Sequence, residues 1–419
     1  MARETVWIIN DYAGSPFHGM TYRHYYIAKE LQKKAIKPII ISASYSHFMN
    51  NYPPIEEKPY LHEKVDMIEY LWLKVMKYRD SRDKKRIFKW FQFCFKLLAI
   101  PKHIDKPSTI ICSGSAPMLI LSAYYLAKKH KAKLIFEIRD IWPLTLMNLT
   151  GSSKYNPLIY IMQKSVNFGF KHSDHIISVL PYTDKYIKEQ GIYNFNFTYL
   201  PNGIFLEELQ NPVPLNSLAE SQVPKDKFII GYTGAMGEDD GLDILIDTAS
   251  KLTNKSDIHF VFVGKGSAKE KLKKSVVDLN LSNITIIDPI PKREIQNMLA
   301  LFDVCYIGWK DKEIYKYGIS ANKIFDYMYS AKPIIHLFSG NGDLISESKC
   351  GISIQKHESS AIKEAIIKLY NCSEKERKDM GHRGKLFVLK NHTYGEITDK
   401  IINLSSKKKE AKKEFLKQF

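Results

Sequence analysis

Paired cysteines are missing from this chain. The five present (Cys94, Cys112, Cys305, Cys350 and Cys372) stand far apart with no CxxC among them, which speaks against a zinc site and a disulfide scaffold. Long apolar runs are missing too. None approaches the ~20 residues that a spanning helix needs. Val6-Trp-Ile-Ile9 is too short for a signal-peptide core and is ended by Asn10-Asp11, so a cytoplasmic protein is expected. The GxGxxG fingerprint is absent, and no acidic residue follows the first strand's loop at the distance a nicotinamide cofactor requires. Acidic residues are scarce: 45 Asp and Glu face 62 Lys and Arg, for a net charge of +17. That balance favours an anionic partner, although plain solubility and a basic tail at Lys407-Lys408-Lys409 and Lys412-Lys413 account for the same figure. Neither an aromatic RNP pattern nor a helix-turn-helix is recognisable, so nucleic acid is the weakest of the anionic partners.

What is present is alternation. Hydrophobic residues make up 44% of 419, enough for globular cores and more chain than one core usually takes. Strand-like runs at Val6–Asn10, Pro38–Ser42, Thr109–Ser113, Lys133–Ile138, His175–Val179 and Phe197–Leu200 are separated by helical spacing at Thr21–Ala35 and Ala116–Lys129. Pro201-Asn202-Gly203 then turns the chain, and an irregular linker with three prolines follows to about Lys225. A second series of strands begins at Phe228–Tyr232 and continues through His259–Gly264, Asn283–Ile287, Val304–Gly308, Pro333–Phe338 and Gly351–Ile354. Such alternation builds doubly wound parallel sheets with right-handed crossovers. The expected fold is α/β, with two Rossmann-like domains facing a central cleft. The expected domains are residues 1–205, residues 206–390, and a C-terminal helix with basic tail at 391–419.

Chemistry is expected where Gly-rich turns close parallel strands, because ligands bind at the carboxyl edge of such sheets. Asp11-Tyr-Ala-Gly-Ser-Pro-Phe-His-Gly19 follows the first strand, and its glycines let backbone N–H groups approach a phosphate. Glu137-Ile-Arg139-Asp140 ends another strand with charges that are costly in a core and useful in a cleft. Asp140 can accept a hydrogen bond or proton from a substrate hydroxyl, while Arg139 can hold a phosphate or pair with Asp140. In the second series, turns at Gly231-Tyr-Thr-Gly234 and Val263-Gly264-Lys265-Gly266 border the same edge as Tyr317-Gly-Ile-Ser320-Ala-Asn322-Lys323-Ile-Phe-Asp326. There Lys323 is the expected diphosphate ligand, with Ser320 and Asn322 as donors and Asp326 on ribose or sugar hydroxyls. No metal-binding cluster is expected. Tyr70–Ile100 mixes Trp and Phe with Lys and Arg, which fits an amphipathic segment on an anionic membrane and a buried core alike.

These motifs, in this order, resemble the retaining GT-B glycosyltransferases of family 4 type that build bacterial O-antigen and capsule, and within them the N-acetylfucosaminyltransferase-like enzymes. The resemblance runs from Phe17-His-Gly19 through Arg139-Asp-Ile-Trp-Pro143, Leu200-Pro-Asn-Gly203 and Gly231-Tyr-Thr-Gly234 to Asn322-Lys-Ile-Phe-Asp-Tyr-Met328 and Lys332-Pro333. It implies a sugar, in this subgroup an N-acetylated one, moved from a UDP-sugar to a lipid-diphosphate-linked saccharide at the inner-membrane surface. No cofactor or catalytic metal is implied. Asp140, Lys323 and Asp326 would be catalytic, and Gly19, Arg139, Gly234, Gly264, Lys265, Ser320 and Asn322 would hold the donor. The chain departs from the family at three points. The second acidic position of the E-x7-E motif falls on Asp326 and the first on Gly318. Ala235-Met236-Gly237 and Glu238-Asp-Asp240 stand where the family has an Arg and a Lys, so the positive charge is expected from Lys323 and Lys265. Arg139 occupies the place of a frequent active-site His. A non-hydrolysing UDP-sugar epimerase of the same architecture is the alternative activity.

Overall fold

The computed structural model describes residues 4–80 and 83–415. The chain forms two compact units, Met1–Pro201 with Tyr394–Phe419, and Asn202–Thr393.

The first unit is built on an eight-stranded sheet of β1 (Thr5–Ile9), β2 (Lys37–Ala43), β3 (Tyr60–Val65), β4 (Ile68–Leu73), β5 (Thr109–Cys112), β6 (Lys133–Ile138), β7 (His175–Ser178) and β8 (Phe197–Tyr199). The order is β3-β4-β2-β1-β5-β6-β7-β8. Pairing is parallel throughout except in the β3–β4 hairpin. Strands β1 and β5 are apolar runs buried along their whole length, as parallel strands covered on both faces must be. The connecting helices are α1 (Arg23–Lys33), α2 (Lys85–Leu97), α3 (Leu119–His130), α4 (Leu144–Thr150), α5 (Pro157–His172) and α6 (Thr183–Glu189). Helices α2, α3 and α5 lie side by side. Ser122 Oγ of α3 donates to Cys94 O of α2 at 3.0 Å, and the rings of Tyr124 and Phe168 join α3 to α5 edge to face at 5.0 Å.

The structure divides the Tyr70–Ile100 segment. Tyr70 and Trp72 are core residues of β4, and α2 buries Trp90, Phe93 and Leu97 while exposing Phe88 and Phe95. The strand pair β3–β4 has no counterpart in the sequence expectation. β3 is half-exposed and weakly patterned, and β4 sits within a stretch whose basic and aromatic mixture masks its period.

The second unit carries a six-stranded, all-parallel sheet: β9 (Phe228–Ala235), β10 (Ile258–Lys265), β11 (Ile284–Ile287), β12 (Val304–Gly308), β13 (Ile334–Leu337) and β14 (Gly351–Ile354), in the order β11-β10-β9-β12-β13-β14. The expected linker contains two short helices, α7 (Leu206–Gln210) and α8 (Ser217–Ser221). Then follow α9 (Leu242–Ser250), α10 (Lys269–Asp278), α11 (Ile295–Ala300), α12 (Asn322–Tyr329), α13 (Leu344–Ser348), α14 (Ser359–Asn371) and α15 (Glu374–Asn391). Separate apolar clusters, one around Phe260 and Leu245 and one around Phe325 and Phe302, form its core.

The last helix, α16 (Tyr394–Phe415), belongs to the first unit. The sequence set residues 391–419 apart, but α16 has a partner in α1. The Tyr26 and Tyr394 rings meet at 5.0 Å, and Lys34 pairs with Asp399 at 2.7 Å. In each sheet the strand order reverses beside the first strand, between β1 and β5 and between β9 and β12. Those two switch points fix where each unit can receive a ligand.

Candidate functional site

In the second unit, α12 starts from an N-cap, Ala321, whose side chain cannot bond the first-turn amides. Lys323 is its second residue. Its side chain does not run into solvent but folds over the switch point. Nζ donates to Tyr232 Oη at 2.6 Å and to Asp240 Oδ1 at 2.9 Å, and it lies 4.4 Å and 5.3 Å from the ring centres of Tyr232 and Trp309. Its Cε stands 3.3 Å from the place a Cβ on Gly234 would occupy. Burial pulls the Lys323 ammonium below its ordinary pKa, while Asp240 pulls it back up. The Tyr232 phenol, buried beside Asp240, is held far above the usual tyrosine range.

Asp240 is the residue the sequence reading missed. Its second oxygen accepts from Gly237 N at 2.8 Å, so one carboxylate shapes the turn after β9 and holds the cation. The acidic loop is neutralised residue by residue from other elements. Lys271 faces Glu238 at 3.8 Å, Lys312 pairs with Asp239 at 2.6 Å, and Lys323 pairs with Asp240. A loop with three acids and no base between two glycines, Gly237 and Gly241, was the available signal.

The glycine turns fit beside Lys323. Gly264 has φ +154°, and a Cβ there would lie 1.8 Å from Gly234 O, so the ends of β9 and β10 approach closely because both lack side chains. Beside them opens a cavity of about 520 Å³, lined by Gly234, Gly264, Lys265, Gly266, Pro289 and Ile290. Lys265 is exposed at its rim.

The remaining residues of this segment are placed differently from expectation. Ser320 Oγ accepts from Asn202 N at 3.0 Å, and Ser320 O accepts from Asn202 Nδ2 at 2.7 Å, so Ser320 anchors Asn202 within the second unit. Asn322 is exposed. Asp326 forms an ion pair with Lys292, just after the cavity-lining Pro289-Ile290, and its side chain is 13% exposed. Gly318, at the place of the motif's first acid, has φ +98°, a backbone setting in which a glutamate would be strained.

In the first unit, Asp11 at the β1–β5 switch point is fully buried and pairs with Lys89 of α2 at 2.8 Å. Gly19, with φ +83°, packs its backbone against Phe48 and Asn50. Glu137 is not a cleft residue. It is buried between Arg23 Nε at 2.9 Å and His24 Nε2 at 2.7 Å, and Arg23 donates onward to the carbonyls of Pro201 and Leu200. Despite its burial, the two partners hold its carboxyl well below the usual range. Arg139 and Asp140 follow at the strand's carboxyl end. Arg139 is half-buried, Asp140 reaches solvent, and no ion pair joins them. Asp140 sits in a recess with Gly114, Pro117 and Trp142 in its walls. The surrounding protein raises its carboxyl above the ordinary Asp value, against the opposing pull of Arg139. Among the described residues no His, Cys, Asp and Glu cluster has the makings of a metal site.

Residues 227–372 match the family model "Glycosyl transferases group 1". The chain is 21% identical over 293 residues to the probable glycosyltransferase WbjE of Pseudomonas aeruginosa, spanning 68% of this chain and 71% of that one. It is 26% identical over 186 residues to WcaI of Escherichia coli, a glycosyl transferase assigned to colanic acid biosynthesis, spanning 43% of this chain and less than half (45%) of that relative. Among solved structures it superposes on sucrose-phosphate synthase from Thermosynechococcus elongatus with a TM-score of 0.73 at 13% identity, covering 98% of this chain and all (100%) of that one. It superposes on Anabaena HepE in complex with UDP-glucose with a TM-score of 0.66 at 12% identity, covering 96% and 99%. The fold is therefore GT-B, two Rossmann-like parallel-sheet domains. The protein is an enzyme of the transferase class, a glycosyltransferase.

Proposed function

We propose that this enzyme is a retaining transferase that takes a sugar, in the resembling subgroup an N-acetylated one, from a UDP-sugar and places it on a lipid-diphosphate-linked saccharide during surface-polysaccharide synthesis. The observation that carries the reading is Lys323, a cation folded over the β9–β12 switch point beside a 520 Å³ cavity floored by glycine backbone. A nucleoside in that cavity would bring its diphosphate to the Gly234 and Gly264 turns and the uncapped start of α12. There Lys323 would exchange Asp240 for phosphate oxygen. Charge developing on the leaving diphosphate would meet a cation and backbone amides already in position. Asp326, released from Lys292, would take hydroxyls of the ribose or sugar. UDP-glucose in the HepE structure supports a nucleotide-sugar donor, and the assignment of WcaI to colanic acid biosynthesis supports a polysaccharide product.

Asp140 of the first unit is assigned to the acceptor hydroxyl, whose hydrogen its carboxylate would accept. In this scheme the bond from the sugar's anomeric carbon to the diphosphate oxygen breaks, UDP leaves with the bonding electrons, and the acceptor oxygen, its proton passing to Asp140, bonds to that carbon on the same face, so no protein nucleophile takes part. A lipid-linked acceptor would keep the enzyme at the inner membrane surface. The first experiment is a thermal-shift panel of nucleoside diphosphates and their sugars. Ligand at 100 times its Kd stabilises the native state by about 2.7 kcal/mol. UDP should raise the melting temperature in the native protein and fail to do so in Lys323→Ala. A panel in which no nucleoside diphosphate stabilises the protein removes the donor assignment.

A further inference from the structure

The helical layer formed by α2, α3 and α5 has an outer face that combines exposed apolar residues with lysines. These three helices contain no Asp or Glu. Their solvent side nevertheless carries large apolar residues: Phe88 (65% exposed) and Phe95 (70%) on α2, Leu121 and Tyr125 on α3, and Tyr160 and Ile161 on α5. Phe88 and Phe95 are seven residues apart, and Leu121 and Tyr125 four, so each pair stands on one face of its helix. Exposed lysines are interleaved with them. Lys85 is one turn before Phe88, Lys128 lies 5.2 Å over the Tyr124 ring, and Lys164 lies 5.3 Å over the Tyr160 ring. The second unit offers a contrast in α10, whose five-residue start Lys-Glu-Lys-Leu-Lys mixes signs and whose end adds Asp278.

Burial removes the obvious alternatives. Trp72, Trp90 and Phe93 belong to the core, and Lys89 is spent on Asp11, so the face is what remains after folding has used its share. Isolated apolar residues are ordinary on a surface. Six of them across three packed helices, with lysines and no carboxylate, are not. A second copy of the chain is a poor occupant, because a two-fold contact on this face would bring together two lysine-bearing surfaces whose helices contain no carboxylate. A surface that is apolar within and negatively charged at its boundary matches both features at once.

We propose that the α2–α3–α5 face docks on an anionic lipid bilayer, with the phenylalanines and tyrosines entering the headgroup boundary and the lysines meeting lipid phosphates. The inference names the surface by which the proposed enzyme would reach a lipid-linked acceptor. It does not depend on donor identity, and it fails separately from it.

The test is sedimentation of the full chain with vesicles of phosphatidylcholine, with and without phosphatidylglycerol, at low and high salt. The protein should bind the anionic vesicles and be released by salt. Lys85→Gln with Lys128→Gln should weaken binding by on the order of 25-fold, from about fivefold for each positive charge removed. Phe88→Ser with Phe95→Ser should weaken it as well, since both residues are already exposed and the fold does not need them. The basic tail at Lys407-Lys408-Lys409 remains in every variant. Binding that survives both pairs of substitutions therefore belongs to the tail and overturns the proposal. So do equal binding to neutral vesicles, absence of binding, or a concentration-dependent dimer that the phenylalanine pair abolishes. An unchanged UDP thermal shift in these variants shows that the donor site is intact.

Discussion

The carboxyl edges of the two sheets treat charge in opposite ways. In the second unit the charges gathered around Lys323 are paired across elements: Lys323 with Asp240, Asp326 with Lys292, Asp239 with Lys312. In the first unit the strand end of β6 buries one carboxylate, Glu137, in a closed network and leaves the next two charges, Arg139 and Asp140, without an ion pair between them. A site that must receive and release a multiply charged diphosphate gains from cations kept in place by exchangeable partners. A site that must accept one proton gains from a single carboxylate with a raised pKa. In the proposed reaction the two edges would serve different steps, and the contrast can be tested residue by residue.

Glu137→Ala should be the most damaging change. It leaves Arg23 and His24 buried without their carboxylate, and breaking such a network costs about 3–5 kcal/mol. Calorimetry should show that loss. A variant as stable as the native protein would show that the first unit's edge does not depend on the network. Lys323→Ala comes next, with turnover lowered on the order of 10²-fold if the cation stabilises the leaving group. Unchanged kinetics would strip the second edge of its main actor.

Asp140→Asn should lower turnover by about 10²-fold as well, at the lower bound for a proton acceptor, and should also alter the pH profile. The carboxyl is raised above the ordinary Asp value, so native activity should fall as pH drops through that raised pKa and the carboxylate protonates. The asparagine variant should lack this acid limb. An acid limb that persists in it assigns the ionisation elsewhere. Asp240→Asn should act most mildly. The amide oxygen can still accept from Gly237 N, while the competing negative charge on Lys323 is gone, so the donor KM should fall several-fold with kcat little changed. A rise in KM would mean that Asp240 holds Lys323 in place more than it competes for it.

Much of this was legible in the chain. Val304–Gly308 and Lys133–Ile138 emerged as strands with the bounds their sequences suggest, because buried parallel strands are plain apolar runs between polar turns. The glycines at 234 and 264 marked the turns that close β9 and β10, while their close approach to each other appears only in the fold. The β3–β4 hairpin was not legible, since a half-exposed edge strand carries little period and its partner lies in a stretch of mixed basic and aromatic residues. Nor were the counter-ions. Lys323 and Asp240 are 83 positions apart, and nothing local links them.

The alternation of strands and helices, the glycine turns and the lysine on α12 are properties of neighbours along the chain and could be read there. Which charges are paired and which aromatics are core depends on contacts across the fold. Parallel crossovers bring distant segments to one sheet edge, and burial then forces each charge to find its partner in space. On one helix Trp90 went inward, its ring 6.1 Å from that of Trp142, and Phe95 stayed outward, 70% exposed.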